Sequence, residues 1–350
     1  MRIDKNNFIY SMSFMHRLLV LAIGFLFMAN MPWVGAPKVK KQGIRLRKIN
    51  YKGWRNSLLL SNRFLEMIIL TDVGPRIYRL RRKNGKNIFY NDPRMVGRRG
   101  GRYWHSYGGH RLWHAPEKNP RTYIPDNHRV KWQKIKGGVR LSQILEKSTG
   151  IQKQLEIRLS ADKPLVEITH ILQNRNAWEI NVSAWALSVL AKGARAILPM
   201  PPRARHHQHL SPVGGLILWS YTDLADKRFV PGNEFLQVLQ NPKKEAPFKI
   251  GLSHENTWGA IVINRTLFIK ATKNYPQRRY PDRGSRFELF TSGTISELET
   301  LSPLTLVPPE GKIVHKEYWW LEKWQGKIKT EQQIRRYVYP SVQKLLQEVL

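Results

Sequence analysis

Short apolar segments separated by turn residues recur along the chain and constrain its fold more than any other feature. The segment from Arg76 to Leu80 alternates polar and apolar residues, which is typical of a strand with one buried face. Asn84-Gly85 follows, with apolar residues on both sides, and this pair strongly indicates a tight hairpin turn. Similar segments recur every 10–15 residues as far as Trp320. The pattern predicts an all-β protein, built as a sandwich or a barrel of antiparallel strands.

Only the C-terminal segment has a helical period. Between Thr330 and Leu350, apolar residues recur at a spacing close to 3.6, and Pro340 should kink the helix that they predict. No linker-like stretch divides the preceding residues. We therefore expect one large β domain over residues 37–325 and a short helical extension over residues 326–350.

Residues 1–36 have the composition of a secretory signal peptide. A basic start precedes an apolar run from Leu18 to Met28, and Val34-Gly35-Ala36 offers small residues for cleavage. The apolar run is short for a membrane span. We expect a periplasmic or secreted protein, and the alternative is an uncleaved anchor that holds the domain at a membrane. The chain has no cysteine, so disulfides cannot stabilise it.

The charge is strongly positive. The chain has 59 Lys and Arg residues against 25 Asp and Glu residues, which gives a formal net charge of +34. Such a surface attracts polyanions, including nucleic acid, anionic lipid and acidic polysaccharide. The basic residues are dispersed and form no single arm, which argues against a nucleic-acid partner. Contact with a membrane is expected only through the N-terminal segment, if it is uncleaved.

The stretch from Tyr107 to Glu117 is unusually dense in binding and proton-transfer groups. It lies within residues 91–128, which are rich in Gly, Pro, Arg and Asn and predict a long irregular loop. His110, Arg111 and Glu117 offer hydrogen bonds, and Trp113 offers a flat apolar face. The alternative is a surface loop whose charged groups are solvated. We take the four residues as candidates for a binding site.

Two further patterns carry possible chemistry. The cluster from His206 to His209 has a spacing that could reach one metal ion, but the nearby sequence supplies no carboxylate or cysteine to complete a site. A solvated loop is the favoured interpretation, and we expect neither a metal nor a cofactor. Glu297 and Glu299 lie on one face of a predicted strand, where a carboxylate could act as a general base or could pair with Lys or Arg.

Four motifs, taken in order, resemble those of galactose mutarotase-like proteins. They are Val73 to Ile77, Gly108 to Trp113 followed by Pro116-Glu117, Leu298 to Pro303, and Trp319 to Leu321. The resemblance covers nearly all of residues 43–325. It implies a large antiparallel β-supersandwich that binds a carbohydrate, here in a divergent, exported member of the superfamily.

The resemblance also implies roles for particular residues. In the aldose 1-epimerases of this superfamily, a glutamate takes the proton of the anomeric hydroxyl and a histidine protonates the ring oxygen. By similarity, Glu299 stands at the place of the base, and Arg76 and the His110 loop stand where substrate contacts fall. Trp185 stands at the place of the histidine, and an indole cannot deliver the proton. We therefore expect His110 to act as the acid and Trp185 to contact the sugar.

Two functions follow from this pattern. The first is a carbohydrate-binding protein of mutarotase type that epimerises a sugar at its anomeric carbon by acid and base catalysis. The second is a non-catalytic periplasmic module for a glycan or an acidic polysaccharide. Whether the chain is an enzyme stays open at this point, because the residue at the place of the catalytic histidine has changed.

Overall fold

The computed structural model describes residues 43–350, so the predicted signal peptide lies outside the described residues. The chain is mostly β, with 45% of its residues in strands and 10% in helices. The strands are β1 (Arg45–Tyr51), β2 (Trp54–Ser61), β3 (Leu65–Leu70), β4 (Arg76–Arg82), β5 (Gly109–Ala115), β6 (Lys131–Ile135), β7 (Gly138–Ser142), β8 (Ile151–Leu159), β9 (Leu165–Asn174), β10 (Ile180–Leu190), β11 (Arg195–Pro199), β12 (Leu216–Leu218), β13 (Phe229–Val230), β14 (Phe235–Leu239), β15 (Phe248–Leu252), β16 (Trp258–Ile263), β17 (Thr266–Thr272), β18 (Phe287–Thr291), β19 (Ser296–Leu301), β20 (Thr305–Val307) and β21 (Lys312–Lys323).

The strands form two large antiparallel sheets. The first has eleven strands in the order β1-β2-β3-β4-β5-β10-β19-β18-β15-β12, and β20 pairs with β10 beside this path. The second has ten strands in the order β13-β14-β11-β16-β17-β21-β9-β8-β7-β6. One apolar core joins the two sheets, with residues such as Met67 and Ile69 from the first and Leu155 and Ile157 from the second. The predicted all-β supersandwich is confirmed.

The C-terminal helices cover part of the second sheet. They are α1 (Glu331–Tyr337) and α2 (Tyr339–Val349), so the segment predicted as one helix kinked at Pro340 is divided at Val338, two residues before that proline. Their apolar side chains pack with side chains of the second sheet into a separate cluster, which includes Ile334, Val342, Leu345, Trp258 and Trp320. The extension is therefore bound to the β domain through its own apolar core. Among residues 43–350, no helix has the length and apolarity that crossing a membrane requires.

The structure corrects one expectation about the loop of residues 91–128. Gly109–Ala115 is strand β5, and every residue in it is buried. It pairs with β10 over seven residues and joins β4 through Ile77 and His110. The sequence concealed this strand because polar side chains occupy both of its faces, so the usual alternation of polar and apolar residues is absent.

Candidate functional site

The register of three neighbouring strands assigns the candidate residues to two opposite faces of the first sheet. Leu187 of β10 lies opposite Arg111 of β5 on one side and Glu299 of β19 on the other. The next residue, Ser188, lies opposite His110 and Leu298. Successive side chains of a strand point to opposite faces. We call the face shared by Arg111, Trp113, Trp185 and Glu299 the outer face, because His110 points the other way, toward the second sheet.

His110 belongs to the interior between the sheets. Its Nδ1 lies 2.9 Å from Ser188 Oγ, and its Nε2 lies 2.8 Å from Nε2 of His170 on β9. Burial, followed by the charge of Lys270, holds the pKa of His110 well below its usual range, so its ring is neutral. The expectation that His110 and Glu299 line one pocket is not met. A sugar held against Glu299 would have the sheet between itself and His110.

Among residues 43–350, one group of side chains in this interior has a spacing that could hold a metal ion. The ligand atoms of His110, His170 and Glu317 lie within 4.8 Å of one another. Glu317 already accepts hydrogen bonds from Lys270 at 2.9 Å and from the Trp319 indole at 2.8 Å. His170 Nδ1 lies 3.1 Å from the backbone oxygen of His315, which completes a chain of hydrogen bonds from Ser188. We assign this cluster a structural role, because its polar groups already have partners and a buried ammonium opposes a cation. His206, His207 and His209 are exposed and lie apart from it.

A buried lysine lies at the centre of a charged cluster on the outer face. Lys249 Nζ of β15 lies 3.1 Å from Glu299 and 2.7 Å from Glu288 of β18, which is directly opposite Glu299 in the sheet. The Trp185 indole donates a hydrogen bond to the same Glu299 oxygen at 2.8 Å. We call these four residues the Lys249 cluster. The lysine ammonium also lies over the rings of Trp185, at 4.7 Å, and Trp219, at 4.6 Å.

The charges within the Lys249 cluster depend on one another. Burial alone would lower the pKa of Lys249, but the two carboxylates outweigh burial and raise it, so the amine is charged. Burial raises the pKa of Glu288 to about 8, against the opposing charge of Lys249. Sequence reasoning missed both Lys249 and Glu288. The available signal was a single polar residue between apolar neighbours in each strand, at Lys249 and at Glu288.

Arg111 lies between Glu297 and a wall of aromatic rings that begins at Trp185 of the Lys249 cluster. Its guanidinium lies 3.3 Å from Glu297 and stacks over Trp113 at 4.3 Å. Trp113 contacts Trp185 at 5.4 Å and Trp104 at 5.2 Å between ring centroids, both with edge-to-face geometry. The predicted residues Arg111, Trp113, Trp185 and Glu299 therefore do lie together.

The aromatic wall ends in an open groove. The groove has a volume of about 480 Å³ and is lined by Arg102, Tyr103, Trp104, Asn119, Pro120, Tyr123, Ile124 and Pro125. Tyr103 is 79% exposed. Within residues 43–350, the indole nitrogen of Trp104, Nε of Arg111 and Oε1 of Glu299 are buried without a hydrogen-bond partner. Such groups are costly unless a ligand or water pairs with them.

Two predicted substrate contacts have other partners. Arg76 is fully buried, and it binds Asp126 at 2.5 Å and the backbone oxygen of Gly108 at 2.7 Å. It thus holds the segments before and after β5 together. Glu117 is exposed and accepts a hydrogen bond from the Tyr123 hydroxyl at the edge of the groove.

Comparison with solved structures identifies the fold. A galactose mutarotase-like protein from Lactobacillus casei ATCC 334 matches with a TM-score of 0.50 and 9% sequence identity, over 76% of this chain and 100% of that one. The chain has a galactose mutarotase-like fold. A Klebsiella pneumoniae protein proposed to be an aldose 1-epimerase matches with a TM-score of 0.53 and 12% identity, over 86% and 87% of the two chains.

A further match shows this fold as part of a longer chain. A TPR-domain containing protein from Parabacteroides distasonis matches with a TM-score of 0.55 and 15% identity over 78% of this chain, which spans only 48% of that protein. No protein-family model matches the sequence, and no curated protein matches it. The predicted mutarotase-like fold is confirmed. At 9–15% identity, the likeness shows the fold and leaves the activity to be argued from the site.

Proposed function

We propose that the protein binds carbohydrate on the outer face of the first sheet, in the groove beside Trp104, without epimerising it. The observation that carries this proposal is the aromatic wall that leads from the Lys249 cluster into the open groove. Aromatic faces stack on the apolar faces of sugar rings, and Arg102 and Asn119 in the groove lining can hydrogen-bond sugar hydroxyls.

The state of Glu299 favours binding over catalysis. Its carboxylate is fully buried and already pairs with the Lys249 ammonium and the Trp185 indole. A general base must reach the proton that it abstracts. The groove is lined by Trp104 and its neighbours and not by Glu299, so an anomeric hydroxyl placed there would not reach that carboxylate. His110, the acid that we expect from the sequence, lies on the other face of the sheet.

Removal of an exposed ring in the groove tests the proposal. A glycan array identifies the best neutral ligand, and calorimetry then compares its affinity for the wild type and the variants. We expect Tyr103→Ala to weaken binding roughly fivefold, since one stacked aromatic contributes about 1 kcal/mol. Tyr337→Ala removes an exposed ring from α1 and should leave the affinity unchanged. Equal affinities for Tyr103→Ala and the wild type would contradict the location of the site.

One observation favours a second candidate, an aldose 1-epimerase with a different acid. Glu288 lies opposite Glu299, and its pKa of about 8 keeps it protonated at neutral pH. Glu299 would take the proton of the anomeric hydroxyl, and Glu288 would give one to the ring oxygen. Saturation-transfer NMR of glucose and galactose measures anomer exchange. A wild-type rate equal to that of buffer excludes this candidate, and a faster rate that Glu299→Gln abolishes establishes it.

A further inference from the structure

A second cavity lies beside the Lys249 cluster and is strongly basic. It has a volume of about 350 Å³ and is lined by Ser253, Arg278, Arg279, Tyr280, Arg283, Gly284 and Arg286. Four of these seven residues are arginines and none is acidic. Arginines this close repel one another unless an anion lies between them. We call this cavity the arginine pocket.

Arg286 distinguishes the arginine pocket from an ordinary basic surface. Its side chain is 8% exposed and lies over the Tyr280 ring at 4.8 Å. Within the described part of the chain, its Nε is buried without a hydrogen-bond partner. Its guanidinium donates a long hydrogen bond, 3.5 Å, from Nη2 to the backbone oxygen of Pro276. A buried guanidinium with unused donors is costly, and an oxyanion would satisfy it with charge-assisted hydrogen bonds.

The turn of Pro281–Gly284 keeps the neighbouring carboxylate out of the pocket. Asp282 and Arg283 both have left-handed backbone conformations, with φ of 49° and 57°. Such conformations are strained for residues other than glycine and concentrate at functional sites. The Asp282 carboxyl lies close to Lys249 and Glu288, and burial raises its pKa despite the charge of Lys249. The only acid in the sequence from Arg278 to Arg286 therefore does not neutralise the arginines.

The arginine pocket and the Lys249 cluster lie close enough to contact one ligand. Arg286 immediately precedes β18, and its backbone still pairs with Leu252 and Leu301 of the adjacent strands. It lies two residues before Glu288, so the two side chains share a face of the sheet. Residues two apart in a strand are separated by about 7 Å. A glycan on the outer face could therefore place a substituent in the arginine pocket.

We propose that the arginine pocket binds an oxyanion, namely the carboxylate, sulfate or phosphate group of a glycan that lies on the outer face. Arg286 forms the floor and makes the directed hydrogen bonds, and Arg278, Arg279 and Arg283 surround the anion at the rim. The glycan part of this inference rests on the proposed function, whereas the anion part can be tested alone.

Inorganic sulfate and phosphate test the anion part. Calorimetry measures their affinity for the wild type and for Arg278→Gln/Arg279→Gln, which changes two exposed residues and should preserve the fold. We expect the affinity to fall at least fivefold. Arg45→Gln/Arg47→Gln removes the same charge from exposed positions of β1 and should bind like the wild type. Equal affinities in the two double variants would show only diffuse attraction to a basic surface and would overturn the proposal.

Oligosaccharides of equal length test the glycan part and separate the sources of the anion. A uronic acid oligomer, a sulfated oligomer and a sugar phosphate are compared with a neutral oligomer. We expect at least one anionic sugar to bind tenfold or more tightly than the neutral one, and Arg286→Gln to abolish that preference. Binding of inorganic anions without any such preference overturns the glycan part.

Tyr103→Ala tests the groove separately. We expect this variant to bind neutral and anionic sugars equally less tightly than the wild type does. Equally tight, pocket-dependent binding of duplex DNA would overturn the assignment to carbohydrate.

Discussion

Lys249 controls the charge balance of the outer face. Its ammonium pairs with the Glu299 carboxylate at 3.1 Å and lies 2.7 Å from Glu288, and all three side chains are at least 95% buried. Glu288 is protonated at neutral pH, so removal of the ammonium leaves the Glu299 carboxylate without its counter-charge in a site with little water. We expect Lys249→Met to lower the free energy of unfolding by about 3–5 kcal/mol, which is the usual cost of removing one partner of a buried ion pair.

Urea denaturation measures this effect. Adding Glu299→Gln to Lys249→Met removes the uncompensated carboxylate, so we expect the double variant to recover part of the lost stability. Arg47→Gln is a control for loss of a surface charge and should stay within about 0.5 kcal/mol of the wild type. A double variant that is less stable than Lys249→Met would show that the lysine acts through packing and not through charge.

Glu288 should make stability depend on pH in an unusual direction. Its pKa rises from 4.5 to about 8 on folding, mainly through burial. Between these values the folded protein retains a proton that the unfolded chain releases, so this group makes stability fall as the pH rises. We expect Glu288→Gln to flatten the decline in the free energy of unfolding between pH 5 and pH 8. Urea titrations at several pH values measure it, and parallel slopes in the two proteins would contradict the assignment.

The interface between the two sheets should show the opposite dependence. His170 on β9 is fully buried, and burial lowers its pKa from 6.5 to about 3. Below pH 6.5 the unfolded chain therefore binds a proton that the folded one does not, and stability falls as the pH falls toward 3. We expect His170→Asn to reduce this slope by about one proton, or about 1.4 kcal/mol per pH unit.

The matched control for this element is His128→Asn, because His128 is an exposed histidine outside the interface. Denaturation of both variants between pH 4 and pH 6.5 provides the comparison. An unchanged slope for His170→Asn would mean that the histidine is already protonated in the folded protein. In that case the hydrogen-bonded chain between the sheets would have to be reassigned.

Strands with one apolar face could be predicted from sequence, whereas strands with two mixed faces could not. The alternation in β4 and the helical period of α2 are visible in the sequence because their polar and apolar residues recur with the period of the element. β5 carries His110 and Leu112 inward and Arg111 and Trp113 outward, so its polarity follows no simple period. Its assignment as a loop concealed the opposite orientations of His110 and Glu299.

The pairing of distant strands was equally hidden in the sequence. Glu299 was identified by resemblance, but Lys249 and Glu288 become its neighbours only because β15, β18 and β19 are adjacent in the sheet. Fifty residues separate Lys249 from Glu299. Sequence position does not specify which strands pair across such a distance, so the charge partner of Glu299 could not be predicted.

The net charge should act on the whole molecule by repulsion. With a formal charge of +34, the compact chain brings like charges closer than the unfolded chain does. Salt screens this repulsion, since the Debye length falls from about 30 Å at 0.01 M to about 10 Å at 0.1 M. We expect the thermal unfolding midpoint to rise as sodium chloride increases over this range.

Sodium sulfate at equal ionic strength separates screening from specific binding. Sulfate screens the whole surface and, on our proposal, also occupies the arginine pocket, and a ligand that binds only the folded state raises its stability further. The wild type should therefore have a higher midpoint in sulfate than in chloride. Sulfate also stabilises proteins generally by exclusion from their surface. The test is therefore how much of the difference in midpoint between sulfate and chloride depends on the arginine pocket. This difference should shrink in Arg278→Gln/Arg279→Gln and persist in Arg45→Gln/Arg47→Gln. If it is the same in all three proteins, sulfate acts on the surface as a whole.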